Sequence, residues 1–129
     1  MAQVKIFGLR KSIEKHRQAL SGAIHLAVIA ALKFPNDKKF HRFIALERED
    51  FIFPADRSEN YTIIEISMFE GRSVDAKKEL IRLIFANIKE ACGIDANDVE
   101  ITIVETPKCN WGLRGQPGDE VALNYKVNV

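Results

Sequence analysis

The sequence predicts an α/β (α+β) fold made of two β-α-β units in tandem, and three observations carry that prediction. A basic residue, a serine, an aliphatic and an acid stand together as Lys11-Ser12-Ile13-Glu14 and again as Arg72-Ser73-Val74-Asp75. Each quartet follows a short β-prone run and opens a stretch whose apolar residues have helical spacing. Each stretch is then followed by a second β-prone run that ends on an acid, Glu47 in one case and Glu105 in the other. Two such units cannot easily cover both faces of a sheet by themselves, so the duplication predicts assembly as well as fold.

Val4 to Phe7 is the first predicted strand. Ser12 stands as a candidate cap ahead of Ile13, Leu20, Ile24, Ala27, Val28 and Ala31, which recur at the spacing of one helical stripe. The helix is expected to stop at Phe34-Pro35-Asn36-Asp37, because proline disfavours helical geometry in the residue before it and Asn and Asp suit a turn. Arg42 to Leu46 makes the second strand, with Arg42, Ile44 and Leu46 on one face and Phe43 and Ala45 on the other. Tyr61 to Met68 makes the third, with Thr62, Ile64, Ile66 and Met68 opposed to Tyr61, Ile63, Glu65 and Ser67. The second helix starts at Ser73, turns Leu80, Ile81, Ile84, Phe85 and Ile88 inward, and stops at Gly93, where glycine suits a left-handed cap. Val99 to Val104 is the fourth strand. A connection containing a helix is what two neighbouring parallel strands require, so each unit is expected to be a right-handed crossover.

Residues 1–129 are expected to form a single domain, with unit one at 1–47, a connector at 48–60, unit two at 61–105, and a loop and terminal strand at 106–129. The connector mixes charge with Phe51 and Phe53, and a connection this long in a compact domain is usually functional or docked. Its Asp56-Arg57-Ser58 reads as a turn with its own ion pair or as a lid over a pocket, the turn being favoured by Asp and Ser. The loop after the fourth strand is rich in glycine and holds the only tryptophan, Trp111. Leu123 to Val129 alternates like a strand with no unit left to pair with, which predicts pairing across a subunit boundary.

Composition narrows the function classes. At 47% hydrophobic and 29% charged the chain fits a compact core, and a net charge of +1 gives no long-range field for gathering nucleic acid or anionic lipid. Neither nucleic acid nor membrane is therefore an expected partner. Cys92 and Cys109 are too few for a disulfide framework and have no histidine nearby in sequence, so they read as reduced, idle thiols. The most apolar window, Ala19 to Leu32, is interrupted by Ser21, Gly22 and His25 and is too short to span a bilayer. With no secretion signal at the amino terminus, a cytoplasmic location is expected. His16, His25 and His41 lack metal-ligand spacing with a third ligand, so neither a metal nor a cofactor is expected.

Glu70-Gly71-Arg72-Ser73 lies where the third strand hands over to the second helix. Glycine permits the sharp turn, serine caps the helix, and the free amides of the first turn lie beside a guanidinium, a combination suited to a carboxylate. Read from these residues alone, Arg72 serves equally as a solvated surface cation, and Trp111 equally as packing or as a pocket wall.

The run from Ile63 through Glu70-Gly71-Arg72-Ser73, the helix with Lys78 and Leu80, Asp98-Val99 to Glu105, and Trp111-Gly112-Leu113-Arg114-Gly115 closely resemble the 4-oxalocrotonate tautomerase subunit. The duplicated length resembles the fused members of the tautomerase superfamily, such as malonate semialdehyde decarboxylase, the cis-chloroacrylic acid dehalogenases and macrophage migration inhibitory factor. The resemblance implies a four-stranded mixed sheet with two helices on one face, the tautomerase/MIF-like fold, assembled as a homotrimer around a central channel. It also implies an amino-terminal proline as general base or acid, arginines on the substrate carboxylate and an aromatic shaping the pocket. On that resemblance Arg72 matches the turn arginine, Arg42 matches the second-strand arginine, and Trp111 matches the pocket aromatic, with Arg114 of the same loop joining the substrate-binding set. At the place equivalent to Arg42 in unit two stands Glu100.

The pattern departs at the amino terminus. The family's proline aligns near Val4 in unit one and near Thr62 in unit two, whereas the chain begins Met1-Ala2-Gln3. Removal of Met1 would expose the Ala2 amine, whose reference pKa of about 7.7 to 8.0 is adequate for a base. On this alignment that amine lies about two residues, roughly 7 Å of extended chain, beyond the family's position. Glu70 also stands where the decarboxylase pattern has an arginine, and Lys38 falls at its acid, with Asp37 one place earlier, which argues against hydrolytic decarboxylation. The expected function is binding and isomerisation of a small keto or enol carboxylic acid by proton transfer without the usual proline base, with the Ala2 amine as a candidate proton carrier and turnover expected to be weak and carried mostly by arginine electrostatics. The alternatives are a non-catalytic small-carboxylate binding module on the same fold and a ferredoxin-like regulatory domain, whose element order is also β-α-β-β-α-β. The near-matching halves and the Gly-Arg-Ser turn favour the tautomerase sheet.

Overall fold

The computed structural model describes all 129 residues. Its elements run β1 (Ala2–Leu9), α1 (Arg10–Leu32), β2 (His41–Leu46), β3 (Thr62–Phe69), α2 (Val74–Cys92) and β4 (Val99–Thr106), followed by a small hairpin of β5 (Gly112–Leu113) and β6 (Gln116–Pro117). The long strands lie in the order β2-β1-β3-β4. β1 is parallel to β2, β3 is parallel to β4, and the central β1–β3 pair is antiparallel. Each β-α-β unit thus supplies one parallel pair, and the two units join through the middle of the mixed sheet.

Strand alternation and helical spacing meet in one core. Val4, Ile6, Ile64, Ile66 and Met68 face Ile13, Leu20, Ile24 and Val28 of α1 and Leu80, Ile84 and Ile88 of α2. Phe85, expected inward, packs against this core while partly buried, and Ile81 is also partly buried. The opposite sheet face keeps Gln3, Lys5, Phe7, Arg42, Ile44, Ile63, Glu65 and Ser67 partly or fully exposed. No helix is long and apolar enough to cross a membrane.

The helix starts differ between the units. α2 begins as expected, with the Ser73 hydroxyl accepting from the Ala76 N–H, and it ends on Gly93 at φ 70°. α1 begins directly after β1, with Leu9 at the cap position and no side-chain cap. Ser12 is therefore not the cap that the repeated quartet suggests. It lies inside the first turn, buried, and its hydroxyl donates to Asn60 Oδ1 at 3.3 Å. The physical reason is that unit two has the turn Glu70–Ser73 between strand and helix and unit one has none.

The connector is docked rather than loose. Phe51 and Phe53 pack on Tyr61 with ring centroids 5.5 and 4.9 Å away. Arg57 pairs with Asp56 at 2.7 Å and Glu100 at 3.0 Å, and the Ser58 N–H donates to Asp98 Oδ1 at 2.7 Å. Residues 123–129 form no strand within their own subunit. Their alternation is used another way: Tyr125 packs edge-on against Phe34 at 4.9 Å, Val127 is buried, and the Val129 carbonyl accepts from the Ser73 N–H at 2.9 Å.

Candidate carboxylate-binding site

β3 ends at Phe69, and the chain turns through Gly71 at φ 128°, a conformation that L side chains rarely adopt. A Cβ there would meet Asn128 Oδ1 at 2.6 Å and Val127 Cγ1 at 2.9 Å. The turn delivers Arg72 inward, where it is only 5% exposed. Its Nη1 donates to the Phe69 carbonyl at 3.1 Å, while Nε and Nη2 have no hydrogen-bond partner. Burial pulls the pKa of this guanidinium below its ordinary value, and the neighbouring Tyr125 and Glu105 oppose that shift. Arginine nonetheless keeps its charge. A buried, charged donor with two free N–H-bearing nitrogens is suited to a planar oxyanion.

Tyr125 stands beside Arg72, and its hydroxyl accepts a hydrogen bond from the Met1 terminal amine. Burial, then the positive charges of Arg72 and Lys108, lower that amine's pKa from 8.0 to about 5. Trp111 packs edge-on against the Phe69 ring at 5.1 Å. Arg114 and Gly115 turn the β5–β6 hairpin at φ 55° and 79°, the two-residue geometry that needs positive φ at both positions. Arg114 Nη1 donates to the Ala122 carbonyl at 3.3 Å, and its charge acts on the Tyr125 hydroxyl. A cavity of about 440 Å³ opens beside these groups between Lys108, Leu123, Tyr125 and Val127.

Arg72 and Trp111 thus both reach Phe69, at the end of β1 that carries Ala2, while Arg114 is exposed on the hairpin and acts on Tyr125 through its charge. Arg42 is not part of this group. It pairs in register with Lys5 on β2, is exposed, and its Nη2 lies 3.4 Å from Gln3 Oε1. β1 stands between β2 and β3 in the sheet, so Arg42 is separated from the Arg72 pocket within one subunit.

The place of Ala2 also changes. β1 and β3 are both eight residues long and share the same alternation of burial, so Ala2 holds in unit one the position that Thr62 holds in unit two. The position equivalent to Thr62 is therefore Ala2 and not Val4, because β1 starts two residues before its most β-prone run, extended by pairing with Ser67 and Met68 of β3. Ala2 itself is 4% exposed. Tyr125 and Lys108 escaped the sequence reading. The available signal was a single amphipathic aromatic between Leu123 and Val127, a pattern that seats an apolar ring and leaves a polar tip at a pocket.

The family described as "Tautomerase enzyme" matches residues 38–114, from the approach to β2 through the β5–β6 turn. The chain belongs to the tautomerase family. Among relatives of this tautomerase-family protein, the 2-hydroxymuconate tautomerase of Comamonas testosteroni is 37% identical over 57 residues, 44% of this chain and 90% of the relative. That span is about one β-α-β unit, as a duplicated chain requires. A probable tautomerase of Bacillus subtilis is 25% identical over 101 residues, covering 74% of this chain and 80% of the relative. In fold, the chain is similar to a malonate semialdehyde decarboxylase structure at TM-score 0.80 and 20% identity, covering 92% of this chain and 99% of the other. It is also similar to an asymmetric trimer of fused 4-OT at TM-score 0.78 and 13% identity, covering 91% and 96%.

Proposed function

We propose that this tautomerase-family protein binds a small keto or enol carboxylic acid on Arg72 and moves a proton on it with the Ala2 amine, freed by removal of Met1. The observation that carries the reading is the pair of unpartnered, buried nitrogens of Arg72 at the end of β1 where the amino terminus lies, the Met1 amine being hydrogen-bonded to Tyr125 beside Arg72. Met1 lies in the space between Arg72, Tyr125 and β3. Without it, the Ala2 amine opens on that space from one residue, about 3.8 Å of chain, further in.

Burial, Arg72 and Lys108 lower the pKa of the Met1 amine, and in the proposed mechanism the same surroundings favour the neutral, basic form of the Ala2 amine. A substrate carboxylate on Arg72 offsets the cationic field and raises the amine's pKa toward neutrality, where taking and returning a proton are both efficient. The amine takes the enol hydroxyl proton, the oxygen's electrons form the carbonyl, and the conjugated carbon receives the proton from the ammonium. The transfer balances without a cofactor. Arg72 stabilises charge developing on the substrate, Trp111 walls the pocket against water, and Arg114 adds positive field at Tyr125. In the homotrimer implied by the resemblance, Arg42 acts across a subunit boundary.

The test is ketonisation of phenylenolpyruvate and 2-hydroxymuconate, with intact mass establishing the terminus. Turnover lost on acetylating the Ala2 amine and in Arg72→Ala supports the proposal. Turnover indifferent to both overturns it. A second reading, a non-catalytic carboxylate-binding module, follows if Ala2 occupies the place of the proline that the resemblance implies and its amine moves no proton. Saturable carboxylate binding that Arg72→Ala abolishes, with no turnover in the parent, would establish that reading instead.

A further inference from the structure

The segment 123–129 brings one polar tip to the Arg72 pocket and fixes where that tip lies. It crosses the turn that delivers Arg72: Asn128 and Val127 leave no room for a Cβ at Gly71, and the Val129 carbonyl accepts from the Ser73 N–H at 2.9 Å. Val127 is buried, and the Tyr125 ring sits edge-on against buried Phe34 with centroids 4.9 Å apart. With its ring seated and the residues after it anchored, the Tyr125 hydroxyl has a defined place beside Arg72, on the wall of the 440 Å³ cavity.

The hydrogen bonds at that place are incomplete. The Tyr125 hydroxyl accepts from the Met1 amine, and no group accepts its own proton. Burial raises the pKa of the phenol against the charges of Arg72 and Arg114, so at neutral pH the proton stays on the oxygen. Arg72 takes part in no ion pair, and the acid that acts on it, Glu105, is paired with Lys77 at 2.6 Å. Arg72 Nε and Nη2 and the Tyr125 O–H are therefore neighbouring donors that all lack an acceptor. A plain carboxylate on Arg72 would leave the phenol unanswered. A 2-oxo acid, or its enol, carries an oxygen on the carbon next to the carboxylate, so one small molecule meets both kinds of donor.

We propose that Tyr125 is a substrate-binding residue whose hydroxyl donates a hydrogen bond to the C2 oxygen of a 2-oxo acid or its enol, making the site selective for such acids over carboxylates without that oxygen. The inference rests on the reading that Arg72 holds the carboxylate. When the amine takes the enol proton, negative charge gathers on the C2 oxygen, and the hydrogen bond from Tyr125 stabilises it while the phenol keeps its proton. The charge disappears as the oxygen's electrons form the carbonyl and the conjugated carbon takes the proton from the ammonium. The experiment is calorimetric titration of the protein, with Met1 removed, by phenylpyruvate and by 3-phenylpropionate, which has a methylene in place of the C2 carbonyl. The parent should bind phenylpyruvate about tenfold more tightly, the value of one such hydrogen bond. Tyr125→Phe keeps a ring for Phe34 and should lose that margin while binding 3-phenylpropionate as the parent does, which also shows the pocket intact. No margin in the parent, a margin that survives Tyr125→Phe, or equal weakening of both acids by that substitution overturns the role of Tyr125. Arg72→Ala should weaken both acids alike. Binding of both that is indifferent to Arg72→Ala would instead overturn the carboxylate reading itself, so the two failures are distinguishable.

Discussion

A guanidinium at 5% exposure with only Nη1 hydrogen-bonded, to the Phe69 carbonyl, is costly to bury, since Nε and Nη2 have left water without a replacement. Arg72 is therefore better explained by a ligand than by stability. Replacing it with the apolar, similarly long methionine is expected to leave the melting temperature unchanged or raise it by a few degrees. The same Arg72→Met change is expected to weaken small-carboxylate binding by about ten- to a hundredfold, the equivalent of about 1.5 to 3 kcal/mol for a charged hydrogen bond. Calorimetry of melting and of carboxylate titration on the same sample checks both halves. A lower melting temperature with unchanged affinity would make Arg72 a structural residue. The sequence made Arg72 visible because glycine before it and a capping serine after it are local signals. It hid Tyr125, whose hydroxyl reaches the Met1 amine 124 residues away in the chain.

At the scale of elements, the two helix starts separate what a local motif can and cannot tell. Ser73→Ala removes a true cap and is expected to cost about 1 kcal/mol. Ser12→Ala removes only a long bond to Asn60 inside the first turn, while alanine improves helix propensity by a few tenths of a kcal/mol, so its loss should be clearly smaller. Urea unfolding of the two variants decides the matter, and equal losses would restore Ser12 as a cap. All of α2, from cap to left-handed Gly93, was legible because its signals lie within one turn of each end. Where β1 begins was not, since its first residues are extended by pairing with Ser67 and Met68, a tertiary effect absent from a β-prone run at Val4 to Phe7.

The α1–β2 contact supplies a pH test at the same scale. His41 Nδ1 lies 2.8 Å from the Ser21 hydroxyl, and the His25 and His41 rings meet edge-on at 6.0 Å. Burial, then Lys39 and His25, lower the His41 pKa from 6.5 to about 4. Between those values the unfolded chain binds the proton and the folded chain does not, so stability falls as pH drops from 6.5 to 4 and this contribution stops changing below 4. Denaturation midpoints at pH 7, 5.5 and 4 should show that slope, and His41→Gln should flatten it. An unaltered slope in the variant would assign the acid sensitivity to other groups.

At the scale of the whole molecule, the sheet face opposite the helices is unlike a solvated surface. Ile44, Phe7 and Ile63 lie in one row across β2, β1 and β3, and Val104, beside Ser67, is 55% exposed. Ile52 projects from the docked connector at 92% exposure. An apolar row on an open sheet, with edge strands β2 and β4 unpaired on their outer sides, fits a face covered by other copies. A homotrimer is accordingly expected at micromolar concentration by light scattering. Each side chain such as Ile52 buried between copies would contribute about 1.5 to 3 kcal/mol per contact, whereas Val104→Asp would place an unpaired carboxylate there. Val104→Asp and Ile52→Asp should therefore shift the mass toward monomer while circular dichroism retains the helix and strand signal, because both side chains lie outside the core. The Arg72 pocket is built from one subunit and should still take a carboxylate in the monomeric variant, but with lower affinity if Arg42 acts across the boundary. A parent protein that scatters as a monomer would remove the intersubunit role of Arg42 and the cover for this face together.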